Sequence, residues 1–531
     1  MPSKNTSMTK IIIIFLFVTT MTTCISQQPE DENSSPRLAV DEDGNSYITW
    51  IGWRGSCERR HEVFWVKIDA DGIPGPIRKV STHPDSLKSR ESDPQIAVDS
   101  QKNSFITWEG PGKEKSEVYW TRVDAEGVPG EVVKISAYPD SSEDNEWNVQ
   151  IVVDTQGNSY AVWKLHWDTI YWVKIDAEGI PGEAVNVTAD PDNADYSESD
   201  PKIAVDTQGN SYVVWKGQYS YNGPGTEKQI YWAKIDAEGV PGTIQKISAP
   251  RDVIYYRALG FDPWIAVDEK GNSHVVWNEA FSDRSGITQS SRVYWVRINA
   301  EGIPGVAQMI SAYPDDTDRL ESNPLIAVDG YGNTCVTWKS CLRKGSEYRD
   351  YELHWIKIDA EGNQGEVSTI AMHYDRSDLG FGSSEMCCDT EGNCSVVCSG
   401  SNRGDIGVYW VKIDAVGIPG EIVQLSTYPD SDWFDNMYPQ VAVDAKGNFY
   451  VTWYSVGWHA DVGIPYYVYW VRIDTEGTPG KLLEITVSDS PCESLLEDTD
   501  TKNLFTSASL AYCGYIPVIV IVFLLIVKFM K

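Results

Sequence analysis

One sixteen-residue segment constrains the fold more than any other, because it recurs along most of the chain. In its clearest copy, residues 200–215, a short apolar run at 203–205 is followed by turn residues and then by Tyr212-Val-Val-Trp215. An Asp at 206 can bond the backbone two residues ahead, and Gly209 can adopt a positive φ without a Cβ clash. β-branched and aromatic residues suit a pleated strand. The segment therefore predicts a β-hairpin with a three-residue loop and glycine in the bulge position.

A second hairpin follows each copy of this segment. In the same copy it comprises residues 230–236, a turn at 237–242 and residues 243–248, so that one repeat holds four strands. The aspartate that opens the first turn recurs at steps of 52 to 62 residues, at Asp41, Asp99, Asp154, Asp206, Asp268, Asp329, Asp389 and Asp444. Four strands per repeat at this period predict an all-β fold, an eight-bladed β-propeller of four-stranded antiparallel blades.

The predicted propeller covers residues 36–487, with blades that start near 36, 93, 148, 200, 262, 323, 383 and 438. The chain enters at strand 1 of blade 1 and leaves at strand 4 of blade 8. The ring is therefore expected to close by face packing, with no strand exchanged between the termini.

The repeat resembles NHL-type propeller repeats, whose pattern also runs from an Ile-Ala-Val-Asp strand through Gly-Asn into a Tyr-Val strand. This resemblance implies a propeller fold. The repeat of this chain departs from the NHL pattern at the end of the second strand, where NHL repeats usually carry Asp and this chain has Trp in seven copies. A weaker likeness links the repeat to the Asp-box of sialidase propellers, which also joins Asp, Gly and Trp.

The two ends of the chain predict export and anchoring. Residues 1–27 have the basic start and short apolar run of a signal peptide, and 28–35 are polar and predicted to be disordered. Residues 488–507 form a polar stalk, and 508–528 are apolar enough for a transmembrane helix that ends in lysines. We therefore expect a single-pass cell-surface protein with an extracellular propeller.

Charge restricts the partners. The chain has a formal net charge of −33, from 77 acidic and 44 basic residues. Such a field repels phosphate backbones and excludes nucleic acid as a partner. It could attract cations, so bound calcium is an open possibility beside an ordinary acidic surface. No other cofactor is indicated.

The predicted propeller has two unlike ends, which we call the turn rim and the loop rim. The turn rim carries the nearly identical connections between strands 1–2 and 3–4. The loop rim carries the connections 2–3 and 4–1, which vary in length and content, and variable loops on a rigid scaffold commonly hold binding sites. Exposed aromatic rings beside basic side chains suit sugar or protein recognition. The candidate binding residues of the loop rim are Trp53, Arg54, Trp147, His166, Trp167, Tyr221, Tyr256, Arg257, Trp433, Trp458 and His459. They could equally pack the loops or plug the funnel.

Catalytic chemistry has little support in the sequence. No Gly-x-Ser-x-Gly, His-Glu-x-x-His or phosphate-loop motif occurs. Acidic residues are frequent in the 4–1 loops, and paired carboxylates can hydrolyse glycosides. We name no catalytic residue. Three arginines around one carboxylate at the funnel mouth would favour an enzyme, and an aromatic funnel without them would favour binding.

Six cysteines crowd blades 6 and 7, and an exported chain favours disulfides. If the turn at Asp389 has a three-residue loop, Cys388 faces Cys394 at a Cα separation of about 4.5 Å, within reach of a disulfide. Cys341 could then pair with Cys398, and Cys57 with Cys492 across the closure. Zinc is the alternative for the cluster, although its spacing matches no familiar zinc knuckle. Sequons at Asn33, Asn186 and Asn393 permit glycosylation.

The sequence as a whole predicts a membrane-anchored extracellular propeller that acts as a surface binding or adhesion module for glycan or protein ligands. The alternative is an extracellular glycan-active enzyme of sialidase-like architecture.

Overall fold

The computed structural model describes residues 36–54, 60–81, 91–112, 115–136, 145–166, 169–188, 196–220, 226–248, 262–282, 288–314, 316, 318–344, 347–370, 382–402, 405–426, 434–457 and 466–485. The chain divides into two compact units, Met1–Ser488 and Asp489–Lys531. The predicted signal peptide, polar segment, stalk and anchor all lie outside the described residues. Within those residues, no helix has the length and the apolar character needed to cross a membrane.

The described residues form antiparallel units of four consecutive strands, which resemble propeller blades. The first three units are β1 (Arg37–Val40), β2 (Ser46–Arg54), β3 (Arg60–Ile68) and β4 (Arg78–Lys79); β5 (Ser92–Val98), β6 (Ser104–Pro111), β7 (Ser116–Val123) and β8 (Val133–Lys134); and β9 (Glu146–Val153), β10 (Ser159–Leu165), β11 (Thr169–Ile175) and β12 (Val185–Asn186).

The fourth and fifth units are β13 (Tyr196–Val205), β14 (Ser211–Ser220), β15 (Thr226–Ile235) and β16 (Gln245–Lys246); and β17 (Trp264–Val267), β18 (Ser273–Ser282), β19 (Thr288–Ile298) and β20 (Gln308–Met309). The sixth comprises β21 (Arg319–Val328), β22 (Thr334–Lys344), β23 (Glu347–Ile358) and β24 (Ser368–Ile370).

The seventh and eighth units are β25 (Ser384–Cys388), β26 (Cys394–Asn402), β27 (Asp405–Ile413) and β28 (Val423–Gln424); and β29 (Phe434–Val443), β30 (Phe449–Gly457), β31 (Tyr466–Ile473) and β32 (Leu483–Ile485). A parallel bridge between Ile406 and Asp435 joins these two units into one eight-stranded sheet.

The predicted first hairpin is confirmed. In the fourth unit Val205 pairs with Ser211, and the Asp206 amide donates to the carbonyl oxygen of Asn210 at 3.0 Å. The Gly209 amide closes the turn onto the Asp206 carbonyl at 3.1 Å, with the glycine at φ 83°. The fourth strand is shorter than predicted, with two residues in this unit. A loop of three residues thus sets the register of the hairpin.

The Asp206 carboxylate holds this turn together. One oxygen accepts the Gln208 and Asn210 amides, both at 2.9 Å, and the other accepts the Asn210 side chain and the Tyr212 hydroxyl, both at 2.8 Å. The corresponding contacts recur in the first, third and eighth units, around Asp41, Asp154 and Asp444. The turn rim is therefore a structural repeat.

Neighbouring units pack face to face. The Trp65 indole N–H donates to the Ser104 hydroxyl of the next unit at 3.1 Å, and the Trp120 indole does the same to Ser159. The last unit makes the equivalent bond to the first, from Trp470 to Ser46 at 3.0 Å. Each unit is built from consecutive strands, so the first and last units meet by packing without exchanging a strand, as predicted.

The first strands of the units surround a common axis. Each first strand contacts the first strand of the next unit, and the series returns from β29 to β1. Before its last four residues the first strand is irregular: in the fourth unit the register shifts between Ser199 and Lys202, and Asp200 has a positive φ of 58°. This bulge bends the loop-rim end of the first strand, next to the side chains that lie near the axis.

Candidate functional site

One position of the first strand carries polar residues inside an otherwise apolar segment. It lies four residues before the turn aspartate and directly after the bulge. We call its members the axial ring: Arg37, Gln95, Gln150, Lys202, Trp264, Leu325, Glu385 and Gln440. All eight are buried. Buried charges are expensive unless they are paired or serve a ligand, so this ring is the first place to look for function.

Charged members of the ring from distant units act on each other. Arg37, Lys202 and Glu385 belong to the first, fourth and seventh units. Burial lowers the pKa of Arg37, and the charge of Glu385 opposes that shift. Burial also lowers the pKa of Lys202, and both Glu385 and Arg37 influence it. Because the fourth unit adjoins neither the first nor the seventh, these side chains converge at the axis.

Among the described residues, two polar atoms of the ring have no hydrogen-bond partner. The Nε of Arg37 and the Oε1 of Gln95 are buried and unpartnered, on side chains that are 5% and 2% exposed. Other members contact their neighbours: the Gln440 amide donates to Glu385 at 3.4 Å, and the Lys202 ammonium lies 4.5 Å from the centre of the Trp264 ring. An unmade buried hydrogen bond is costly, so an orphaned donor and acceptor at the axis indicate a place for an additional polar group.

A second layer of charge lies on the loop-rim side of the ring. The Lys216 ammonium forms a salt bridge with Asp200, and the Lys339 ammonium donates to the Gly382 carbonyl. Burial lowers the pKa of Lys339 to about 8. Burial raises the pKa of Asp262, against the opposing charge of Lys216. The second layer therefore mixes lysines with a carboxyl that resists ionisation.

Glu109 is a further buried carboxyl of this layer. It accepts the Asn148 amide at 2.6 Å and the Ser92 hydroxyl at 3.3 Å. Burial raises the pKa of Glu109 well above its usual range, and the neighbouring charge of Asp93 raises it further. A carboxyl whose pKa is raised by burial is the kind of group that serves as the proton donor in acid–base sites.

Another set of buried polar side chains accepts hydrogen bonds from the tryptophans that end the second strands. The Trp338 indole donates to Glu321 at 3.1 Å, the Trp277 indole to Glu279 at 3.2 Å, and the Trp453 indole to Asn436 at 3.1 Å. Glu91 occupies the position of Glu321 in the second unit, and burial raises its pKa to about 8. Glu321, Glu279 and Asn436 therefore act as acceptors for indole groups within the sheets.

The structure describes few of the predicted binding residues. Trp53 and Arg54 end β2, and their side chains lie outside the described part. Trp147 and His166 both lie at the loop-rim end of the third unit. The Lys164 ammonium lies 6.0 Å from the centre of the Trp147 ring, and the exposed His166 donates its backbone amide to the Asn145 carbonyl at 3.0 Å. The remaining candidates lie outside the described residues: Trp167, Tyr221, Tyr256, Arg257, Trp433, Trp458 and His459.

Sequence reasoning missed the axial ring, although the repeat contained a signal for it. When the copies are aligned on the turn aspartate, the position four residues earlier reads Arg, Gln, Gln, Lys, Trp, Leu, Glu and Gln. The three positions that follow it are mostly apolar. A polar position inside an apolar strand is a departure that calls for an explanation.

The cysteine predictions had mixed outcomes. Cys388 faces Cys394 across the turn, and the two form a disulfide with a Cα separation of 4.0 Å, as predicted. The predicted Cys341–Cys398 bridge is wrong, because Cys341 keeps its thiol. The sulfurs of Cys335, Cys388 and Cys394 lie within 4.8 Å of one another, with two of them bonded together. Cys57 and Cys492 lie outside the described residues.

Comparison with known proteins gives only distant structural likenesses. No family model matches the chain, so the NHL resemblance gains no support, and no curated protein matches it. An ulvan lyase, described as a polysaccharide lyase, is 11% identical, with a TM-score of 0.43 over 74% of this chain and 95% of that one.

A lectin from Burkholderia pseudomallei is 12% identical, with a TM-score of 0.40 over 74% of this chain and 99% of that one. An α-L-arabinanase from Penicillium chrysogenum is also 12% identical, with a TM-score of 0.36 over 65% and 98% of the two chains. At such identities and scores these likenesses assign no ligand and no activity to this protein.

Proposed function

We propose that this protein is an eight-bladed β-propeller that binds a glycan through its axial ring and acts as a surface binding or adhesion module. The observation that carries the proposal is the unpartnered pair at the axis, the Nε of Arg37 and the Oε1 of Gln95. One is a hydrogen-bond donor and the other an acceptor, which is what a sugar hydroxyl needs from its site. A protein ligand is the other outcome that the binding experiment can return.

The position of the ring supports this proposal. Sites grafted on rigid scaffolds lie where the scaffold converges and its repeat is broken. The turn rim is uniform and internally hydrogen-bonded, whereas the axial ring has six different residue types at its eight positions. Ligand contacts at the axis can draw on several units at once, which gives a small site many independently variable side chains.

The proposal extends to location. Residues 1–27 as a signal peptide and 508–528 as a membrane anchor would place the propeller outside the cell, with residues 488–507 as a stalk. The cysteine pair in the seventh unit supports an oxidising compartment, since disulfides persist mainly there. Protease treatment of intact cells that display the chain tests this location, because an outward-facing propeller is accessible to the protease.

The alternative function is that of a glycan-active enzyme, and one observation favours it. Burial and the neighbouring charge of Asp93 raise the pKa of Glu109 well above its usual range, which makes Glu109 a candidate proton donor near the axis. Against it, Arg37 is the arginine of the axial ring and Lys202 its other cation. The axial ring therefore lacks the three arginines that would favour an enzyme.

One experiment separates the alternatives. The full chain, solubilised in detergent, is applied to a glycan array, and glycans that bind are then incubated with the protein and assayed for new chain ends. Saturable binding without cleavage supports the binding module. Cleavage that is lost in Glu109→Gln supports the enzyme, and failure to bind any glycan contradicts both.

A further inference from the structure

The axis concentrates positive charge in a chain that is otherwise strongly acidic. The chain as a whole carries a formal net charge of −33. In contrast, Arg37, Lys202 and Lys339 are buried close to the axis and share the charge of Glu385 as a neighbour. Asp93 also acts on Arg37, and Asp200, which is paired with Lys216, also acts on Lys202. Within the axial ring itself, two cations, Arg37 and Lys202, face one carboxylate, that of Glu385.

Arg37 and Lys202 also lack ion-pair partners. Asp200 is taken by Lys216, and Glu385 accepts from Gln440. Within the part of the chain that the structure describes, neither Arg37 nor Lys202 forms a salt bridge, and the close contact of Lys202 is with the Trp264 ring. A buried, unpaired charge is unfavourable, and an anion that fits between the two would relieve the cost.

Building on the glycan-binding function proposed above, we propose that the ligand is an anionic saccharide, and that Arg37 and Lys202 bind its carboxylate or sulfate group at the axis. Both groups present negatively charged oxygens, which a guanidinium and an ammonium bind through charge-assisted hydrogen bonds. Gln95, next to Arg37 in the ring of units, supplies an acceptor for a neighbouring hydroxyl. The acidic surface outside the axis repels anions. An anionic ligand that lacks this specific fit is therefore released.

The internal repeat offers substitutions that fit the site. Glutamine occupies the axial position in the second, third and eighth units, at Gln95, Gln150 and Gln440. Arg37→Gln and Lys202→Gln therefore replace each cation by a residue that the same backbone position already accommodates. Lys270→Gln is the matched control, because it removes one positive charge from an exposed site in a turn-rim loop.

The test is isothermal titration of the full chain in detergent with two matched ligand pairs. The first pair is an oligogalacturonide and its methyl ester, and the second is a sulfated galactan oligosaccharide and its desulfated form. We expect binding of at least one charged member, weakening with added salt. Arg37→Gln and Lys202→Gln should each lower its affinity about tenfold to a hundredfold, whereas Lys270→Gln should leave it unchanged.

The outcomes separate the two levels of the proposal. The first pair tests a carboxylate and the second a sulfate. Equal affinity for a charged ligand and its neutral partner would overturn the anionic assignment and leave glycan binding intact. A charged ligand whose affinity is unaffected by either axial substitution, in variants that keep the wild-type melting temperature, would overturn the role of Arg37 and Lys202. Failure of all four ligands, after a negative glycan array, would overturn both proposals.

Discussion

The turn rim and the axial ring belong to the same repeats and the same first strands, yet they have opposite hydrogen-bonding states. At the turn rim, every unit satisfies its aspartate with backbone amides within four residues, and Tyr212 completes the set in the fourth unit. At the axis, four residues away, Lys202 is buried against an aromatic ring, and Arg37 and Gln95 keep unpartnered atoms. Saturated contacts stabilise the fold, and the unpartnered axial atoms support the proposed ligand site, so the two regions should respond differently to substitution.

The largest effect is expected at a saturated turn. Asp206→Ala removes an acceptor from four hydrogen bonds, and leaves buried donors on Asn210 and Tyr212 without a partner. We expect a loss of roughly 3–5 kcal/mol in the free energy of unfolding, because orphaned buried donors cost more than the bonds themselves. Urea unfolding of the full chain measures it.

Asp236→Ala is the matched control for that measurement. Asp236 opens the second turn of the same unit, where its carboxylate accepts the exposed Val240 amide at 2.7 Å. Its removal should cost about 1 kcal/mol or less, since water can replace the carboxylate there. Equal losses at the two aspartates would show that burial of the first turn has no energetic consequence.

The sequence predicted the turns well because each depends on residues that are close in the chain. Asp206, Gly209 and Asn210 lie within one loop, and their types alone determine the backbone conformation. The same locality gave the Cys388–Cys394 register. The axial ring depends instead on side chains from the first, fourth and seventh units, more than 160 residues apart at each step. No local pattern in the sequence shows which of these side chains converge at the axis.

The second comparison concerns one unit in which the repeat is altered. His354 occupies the third-strand position that holds Tyr231 in the fourth unit, and Ser340 replaces Gly217, whose added Cβ would lie 2.5 Å from the Tyr231 ring. Burial lowers the pKa of His354 to about 4. In the unfolded chain the His354 imidazole takes up a proton below about pH 6.5, whereas in the folded protein it stays neutral down to about pH 4.

The stability that the neutral His354 contributes is therefore fully present above pH 6.5 and is lost as the pH falls from 6.5 to 4. Over that range we expect His354 to account for roughly 3 kcal/mol of lost unfolding free energy, at 1.36 kcal/mol per pKa unit. His354→Tyr combined with Ser340→Gly restores the pattern of the fourth unit and should remove this contribution. Unfolding curves at pH 7 and pH 4.5 measure it. An unchanged acid sensitivity in the double variant would show that other groups are responsible.

The smallest effect is expected where the sixth and seventh units meet. Cys335 stands where Tyr212 stands in the fourth unit, and Cys388 and Cys394 stand where the fifth unit has Val267 and Ser273. A small residue in one unit is thus matched by a disulfide in the next. Cys335→Tyr alone should destabilise by about 1–3 kcal/mol, because the larger ring meets the disulfide.

The same substitution should be tolerated when Cys388→Val and Cys394→Ser restore the ordinary interface. Those two changes alone remove the disulfide and should cost about 2 kcal/mol, from the short loop that it closes. A double-mutant cycle over urea unfolding isolates the coupling between Cys335 and the pair. Because residues in contact couple and distant ones add, a coupling energy near zero would mean that Cys335 does not pack against the disulfide. The interface would then tolerate either residue set in any combination, and the matched cysteines would reflect no packing requirement.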